Sequence, residues 1–441
     1  MPDEQPDDRP GEQPGEQPGG GPSRRAVLAR IAAAAVLGST VTVAEGVASR
    51  QYAFAIPGSG GNADLPLDEE GDVLVVLCLR GGFDGLSAVV PAADPHYLDA
   101  RPGIGIPAGQ LLPADDRFGL HPAMSPLYPW WRSGRVAAVH AVGQIARSRS
   151  HFQAMAELER AAPGSALRTG WLERLLGLRP TDDPMCAVRV GAVSGSLAVP
   201  DGTLAIRDLA SFGLAGIGGG TELQRWTASL AALHAGARPE LAGPVDTTLR
   251  ALRLAARLSA REYVPEHGAG YPAGNLGDAL REVAHLVKAG IGLRVACVDY
   301  GDWDLHAGSG RPDGGPMADQ LRELSEALDA FATDLGPRLD GVTLVTTSEF
   351  GRRVAENGSA GTDHGYGNVA FLLGGGVNGG RVHGRWPGLD PGSLVDGDLQ
   401  VTTDYRLVLA EVLQSRCGLY RWGAVFPGLS GTPLGVVRPR T

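Results

Sequence analysis

Lysine is nearly missing from this chain. Lys288 is the single lysine among 39 basic residues in 441, a skew that GC-rich coding produces as readily as any demand for bidentate arginine contacts, so it carries little functional weight. Cysteine is scarce as well. Cys78, Cys186, Cys297 and Cys417 are widely spaced, with no C-x-x-C pair, which argues against an iron–sulfur protein. Cys78 and Cys297 sit inside apolar runs and read as buried hydrophobes. No G-x-G-x-x-G bridges a strand and a helix, which weighs against a dinucleotide-dependent redox enzyme. A basic face is also lacking: the formal net charge is −10, a poor match for nucleic acid. Half of that charge belongs to residues 1–22, where Asp3, Glu4, Asp7, Asp8, Glu12 and Glu16 stand against Arg9. The body is therefore only mildly acidic and does not repel phosphorylated or sulfated ligands. No repeat period is visible.

What the chain has in abundance is glycine and proline, 65 and 32 residues, which means many loops on a globular body that is 43% hydrophobic. Residues 1–22 are Pro, Gly, Gln and acid, too poor in apolar residues to fold. Next comes "SRRAVLARIAAAAVLGSTVTVAEGVA": Ser23-Arg24-Arg25 before Val27-Leu28 is a twin-arginine signal, followed by a mild apolar stretch over 31–43. Ala53-Phe54-Ala55 offers small residues for cleavage after Ala55. The stretch is too short and mild for a membrane span, so membrane contact is expected only through this signal segment. The expected organisation is a tail over 1–22, a signal peptide over 23–55, a linker over 56–71 and one α/β domain over 72–441. The expected location is extracellular or in the cell envelope. Export of an already folded chain often accompanies a cofactor or metal inserted beforehand.

From residue 72 the chain alternates. Apolar runs of strand type, "DVLVVLCL", "RVAAVHAVG", "GLRVACVDY", "GVTLVTTSEF" and "VAFLLGGG", are separated by helical patterns such as "HFQAMAELERA", "DALREVAHLVKAG" and "MADQLRELSEALDAFATDL". This predicts a doubly wound, mostly parallel α/β sheet whose strands are buried on both faces. The Gly/Ser-rich stretch over 193–220 has no clear period and reads as an insertion over the sheet edge or a lid. Ligands of such sheets bind beyond the carboxyl ends of the strands. Four strand ends here release polar groups: Arg80 to Asp84, "QIARSRSHF", "DYGDWDLH" and "EFGRR". Each has a plain reading too: Asp84 or Ser150 as a helix cap, Asp304 as a turn former, His151 as a satisfied core histidine. Their convergence on one edge favours a site.

Carboxylates and imidazoles are ligands for zinc, manganese or a similar divalent ion. Asp302-x-Asp304-x-His306 places three donors on five residues, and Asp363-His364 lies between Gly361 and Gly365. A cation there would polarise a phosphoryl or sulfuryl oxygen, with Arg80, Arg147 or Arg352 clamping the anion.

The segments "LRGGFDGLSAVVP", "GLHPAMSPLYPWW", "SRSHFQA", "DWDLHAG", "TSEFGRRVAENGSAGTDHGYGN" and "GGGVNGGRVHGRWPGL" together resemble, in order over 73–441, the DUF1501 family of exported bacterial proteins. That family is grouped with the alkaline phosphatase and sulfatase superfamily. The resemblance implies an alkaline phosphatase-like sheet with metal at its carboxyl edge. Asp84 stands where the superfamily has an early metal-binding acid. Asp304 and His306 resemble its later acid–histidine pair, with Asp302 competing for the acid role. For the superfamily's T-x-D-H-G, "TSEFG" has the position and "GTDHG" the letters. Preferring position makes Glu349 a ligand, leaves Phe350 in a histidine's place, and has His364 supply the missing imidazole, with Asp363 beside it. Ser148 and Ser150 are the candidate nucleophiles, with His151 the next catalytic candidate. The function expected is an exported metal-dependent hydrolase or transferase acting on a phosphate or sulfate ester. The alternative is a non-catalytic exported scaffold that binds carbohydrate, metal or a protein partner. The resemblance suggests a co-encoded exported protein as that partner.

Overall fold

A computed structural model describes residues 72–181, 183–191, 203–214, 220–419 and 421–440, together with a short antiparallel pair, Val41–Val43 with Arg50–Tyr52. The expected tail over 1–22 and linker over 56–71 lie outside the described residues, as does nearly all of the expected signal segment. Of the stretch over 193–220, residues 203–214 and 220 are described, and Leu204–Ile206 is an edge strand of the main sheet.

Among the described residues nine strands form one sheet. In chain order they are β1 (Val73–Leu79), β2 (Val136–Gly143), β3 (Ala187–Val190), β4 (Leu204–Ile206), β5 (Val295–Tyr300), β6 (Val342–Thr347), β7 (Asn368–Gly374), β8 (Val382–His383) and β9 (Thr403–Asp404). Their spatial order is β8-β2-β7-β6-β1-β5-β3-β4, with β9 also on β2. The helices used below are α1 (His151–Arg160), α2 (Trp171–Gly177), α3 (Thr221–Leu233), α4 (Pro239–Leu258), α5 (Asn275–Lys288), α6 (Pro316–Leu335) and α7 (Tyr405–Arg416). No helix among the described residues is long and apolar enough to cross a membrane.

The continuous apolar runs are explained by helices on both faces. Side chains alternate along a strand, so Val75, Leu77 and Leu79 of β1 pack with Leu276, Leu280 and Val283 of α5 and Leu321, Leu324 and Leu328 of α6. Leu74, Val76 and Cys78 face the other way, toward Leu158 of α1, Trp171 of α2 and Leu409 and Leu413 of α7. Each such aliphatic side chain stabilises the fold by about 1.5–3 kcal/mol when withdrawn from water. Cys78 and Cys297 are among these buried groups, and no disulfide joins any of the four cysteines.

Most strand pairs are parallel, as the sequence predicts, but β7 runs antiparallel to both its neighbours, β6 and β2. The connection over 348–367 therefore turns back at the carboxyl edge of β6 and re-enters the sheet next door. That reversal keeps the whole polar stretch at one rim. The loops leaving β2, β6, β1 and β5 meet there because those strands are near neighbours in the sheet.

Candidate metal centre

Each loop is shaped locally before it contributes a side chain. After β1, Gly81 has φ 112° and packs so close to the β5 loop that a Cβ would lie 2.7 Å from the Asp304 amide nitrogen. After β2, the Ser148 hydroxyl accepts from the Ser150 amide at 3.2 Å, turning the chain into α1, whose first residue is His151. Between β6 and β7, residues 351–365 fold back on themselves: Arg352 bridges His364 in antiparallel fashion, and the Arg353 amide donates to the Asp363 carbonyl at 2.9 Å. Gly361 lets this fold lie on the β5 loop, since a Cβ there would meet the His306 carbonyl at 2.4 Å.

These loops bring His151, Asp304 and His364 together, with donor atoms all within 4.8 Å of one another, and His306 abuts the group. His364 Nε2 lies 3.1 Å from His151 Nε2, 2.9 Å from His306 Nε2 and 3.1 Å from Asp304 Oδ1. Asp304 also lies 3.1 Å from His306 Nε2 and 3.5 Å from His151 Nε2. Donors about 2.0–2.2 Å from one shared ion stand roughly 3–3.5 Å apart. The separations fit.

The other nitrogen of each imidazole is tied outward. His151 Nδ1 meets Glu349 Oε1 at 2.8 Å, His306 Nδ1 meets Asp363 Oδ1 at 3.1 Å, and His364 Nδ1 meets the Arg149 carbonyl at 2.8 Å. A carbonyl only accepts, so the His364 Nδ1 carries the proton, and in the neutral ring its Nε2 is a bare lone pair. That lone pair faces two further imidazole nitrogens and a carboxylate oxygen. A proton satisfies one of these contacts; a metal ion satisfies all of them. Histidines that bind metal characteristically donate their second N–H to a carboxylate or carbonyl, as these do.

The arrangement reassigns several expected roles. Glu349 does not face the donor cluster directly. It is buried behind His151, its Oε1 also accepting the Gly81 amide at 2.8 Å. Asp363 also stands behind His306, but at the exposed surface, and His151, expected as a catalytic group, joins the donors. Asp84, expected as a metal ligand, stands outside the donor cluster: Arg101, fully buried, donates to its two oxygens at 2.7 and 3.0 Å, and Ser87 adds a third bond at 2.8 Å. Asp302 is exposed, with φ 69°, and among the described residues its side chain makes no hydrogen bond to the cluster. Arg352 does not reach out to an anion. Its guanidinium is buried against the Gly81, Gly82, Trp303 and Thr362 carbonyls and donates to Asp304 Oδ1 at 2.6 Å. Arg80 is engaged with Asp299 at 2.9 Å and with Glu159. Phe350, expected to stand in a histidine's place, floors the site, its ring 4.8 Å from that of His151 and 4.6 Å from that of His364.

Burial opposes the charge of Asp304, but the hydrogen bond and charge of Arg352, together with the imidazoles beside it, outweigh it and hold the carboxyl at about 2. It is therefore an anion at any working pH. The two candidate serines differ. The Ser148 hydroxyl is used, donating to Gln153 Oε1 at 3.2 Å, whereas Ser150 precedes α1 without capping it and its hydroxyl makes no bond within the described residues.

Residues 279–407 match the family described as "Protein of unknown function (DUF1501)". Among curated proteins there is no match. Similar solved structures include a sulfatase from Pseudoalteromonas sp., at 12% identity and TM-score 0.31, over 71% of this chain and 64% of that one. Lipooligosaccharide phosphoethanolamine transferase A from Neisseria meningitidis, an integral membrane protein, matches at 11% identity and TM-score 0.30, over 73% of this chain and 51% of that one. Alkaline phosphatase from the Antarctic bacterium TAB5 matches at 10% identity and TM-score 0.28, over 69% and 92%. The aligned region thus spans less than two thirds of the sulfatase and about half of the transferase.

Proposed function

We propose that the protein is an exported, metal-dependent hydrolase or transferase acting on a phosphate or sulfate ester. The observation that carries this reading is the convergence of bare imidazole nitrogens on the ionised Asp304, each ring fixed from behind by an acceptor. His151, Asp304 and His364, with His306 adjoining, would hold a divalent ion such as zinc or manganese. When bound, the ion supplies Lewis acidity toward an ester oxygen and positive charge for the developing anion.

The chain's own residues supply the rest. Ser150, uncommitted in the fold and at the N-terminus of the ten-residue α1, is the proposed nucleophile, where the first helix amides favour negative charge. Its oxygen would bond to phosphorus or sulfur as the bond to the alcohol breaks, and the departing alcohol takes a proton. Water then completes hydrolysis, or a second alcohol completes transfer. Arg147, exposed and 5.8 Å over the Tyr366 ring, has no carboxylate partner among the described residues. It would attract the anion, whereas the guanidinium of Arg149 is tied to Asp398.

Metal analysis of protein purified in its exported form, with assays on aryl phosphate and aryl sulfate, tests the proposal. The expected result is near-stoichiometric divalent metal that disappears in Asp304→Ala. Ser150→Ala should keep the metal and lose about a thousandfold or more in rate. A metal-free protein, or full activity in Ser150→Ala, contradicts it.

A further inference from the structure

Two large apolar side chains stand exposed in the segment that leads into the cluster. Phe152 is 90% exposed and Ile145 64% exposed, yet the segment that carries them is held firmly. The Gln144 amide donates to the carbonyls of Ala154 and Glu349, both at 2.7 Å, which pins the loop to the first turns of α1 and to the rim of the sheet. Phe152 directly follows His151, and Ile145 opens the loop that leads to it. Arg147 lies between them in sequence, exposed beside Tyr366.

We propose that Phe152 and Ile145 are a platform for the apolar part of the ester's alcohol, with Arg147 near its anionic head, so that the protein selects amphiphilic anionic esters. This rests on the reading of the site as one for phosphate or sulfate esters and adds the substrate class.

A single exposed hydrophobe is ordinary. Two of them within eight residues, flanking a cation and adjoining a metal-donor histidine, make a head-and-tail pattern. Size decides the kind of occupant. Two such side chains offer at most roughly 300–400 Å², well short of the approximately 800 Å² per partner that a stable protein interface covers. A small tail fits that area.

Methylphosphonate and hexylphosphonate share an anionic head, carry a phosphorus–carbon bond in place of the ester, and differ by five methylenes. Calorimetric titration of the metal-loaded full chain compares them. One methylene fully withdrawn from water is worth about fourfold in Kd, so five that are half covered make hexylphosphonate about thirtyfold tighter. The double substitution Phe152→Ser, Ile145→Ser should reduce that ratio below about threefold while metal content stays unchanged. Equal affinities in the unsubstituted protein, or a ratio that survives the double substitution, overturn the proposal. So does sedimentation with phosphatidylglycerol vesicles that the double substitution abolishes while the phosphonates bind equally, because the pair would then serve a membrane. If the protein takes up no metal, the reading beneath fails instead, and the tail preference stands or falls by the same ratio on the metal-free chain.

Discussion

Asp84 and Asp304 follow adjacent parallel strands, β1 and β5, and each meets a buried arginine, yet they do opposite things. A carboxylate has about four acceptor positions. At Asp84, Arg101 takes two and Ser87 a third, and burial closes off the rest. At Asp304, Arg352 takes one oxygen and directs its other N–H groups to four carbonyls, leaving the carboxylate 46% exposed and turned toward imidazoles. Both are held as anions below the usual carboxylate range, although burial opposes this in each case. Acidity alone therefore does not distinguish a sealed acid from one still open to a further partner. The number of lone pairs left over does.

The largest effect should come from breaking the sealed side. Arg101→Met leaves the Asp84 carboxylate buried without its partner and strands the Val354 and Arg353 carbonyls, which Arg101 also binds at 2.9 Å each. The expected loss is about 3–5 kcal/mol in urea unfolding. Asp304→Asn, by contrast, should change stability by less than about 1 kcal/mol, because the exposed side has water to replace it. Equal losses at the two positions would erase the distinction.

Acid should separate the same two regions. His140 belongs to the sealed side, fully enclosed, with its Nε2 on the Val89 carbonyl at 3.0 Å and its Nδ1 accepting the Ala141 amide at 2.8 Å. Burial lowers its pKa to about 4, with the Val89 carbonyl and the Asp84 charge pulling only weakly the other way. The folded state therefore holds fewer protons than the unfolded one between roughly pH 6.5 and 4. The stabilisation is complete above the unfolded pKa and falls as pH drops through that window, by about 3 kcal/mol in total. Unfolding of the metal-free protein across pH 4–7 measures this. His140→Gln should lower stability at pH 7 but flatten the acid slope. An unchanged slope would assign the acid sensitivity elsewhere.

The sheet and the convergence of its loops were legible because buried strands announce themselves as apolar runs and the polar residues fall at their carboxyl ends. His151, Asp304, His306, Glu349 and His364 could all be picked out on that ground. What sequence could not show was pairing at a distance. Arg101 lies in "LDARPGIGIP", a stretch with no period or motif, and nothing local reveals that its guanidinium reaches back to Asp84. The same holds for Arg352, whose donors are consumed by carbonyls on three other loop positions near residues 81, 82 and 303. The reversal of β7 was also hidden, since an apolar run has no written direction. Position in the superfamily's motif pointed to Glu349 as a ligand, whereas its burial and its bond to His151 put it one step behind.

Glu349 offers the finest test of the contrast. Its Oε1 accepts both the Gly81 amide and His151 Nδ1, and Ser348 donates to Oε2 at 3.2 Å. In Glu349→Gln the carbonyl oxygen can still accept, so the fold should keep most of its stability, but the negative charge behind His151 is lost. An imidazole backed by a carboxylate is a stronger base than one backed by an amide, and losing such a partner lowers metal affinity about ten- to hundredfold. Competition with a chelator at fixed pH measures the change. Asp84→Asn, tested in parallel, should leave metal affinity alone and lower only stability. If Glu349→Gln binds metal as tightly as the unsubstituted protein, Glu349 is a structural acid like Asp84, held at the rim by Gly81 rather than by the site.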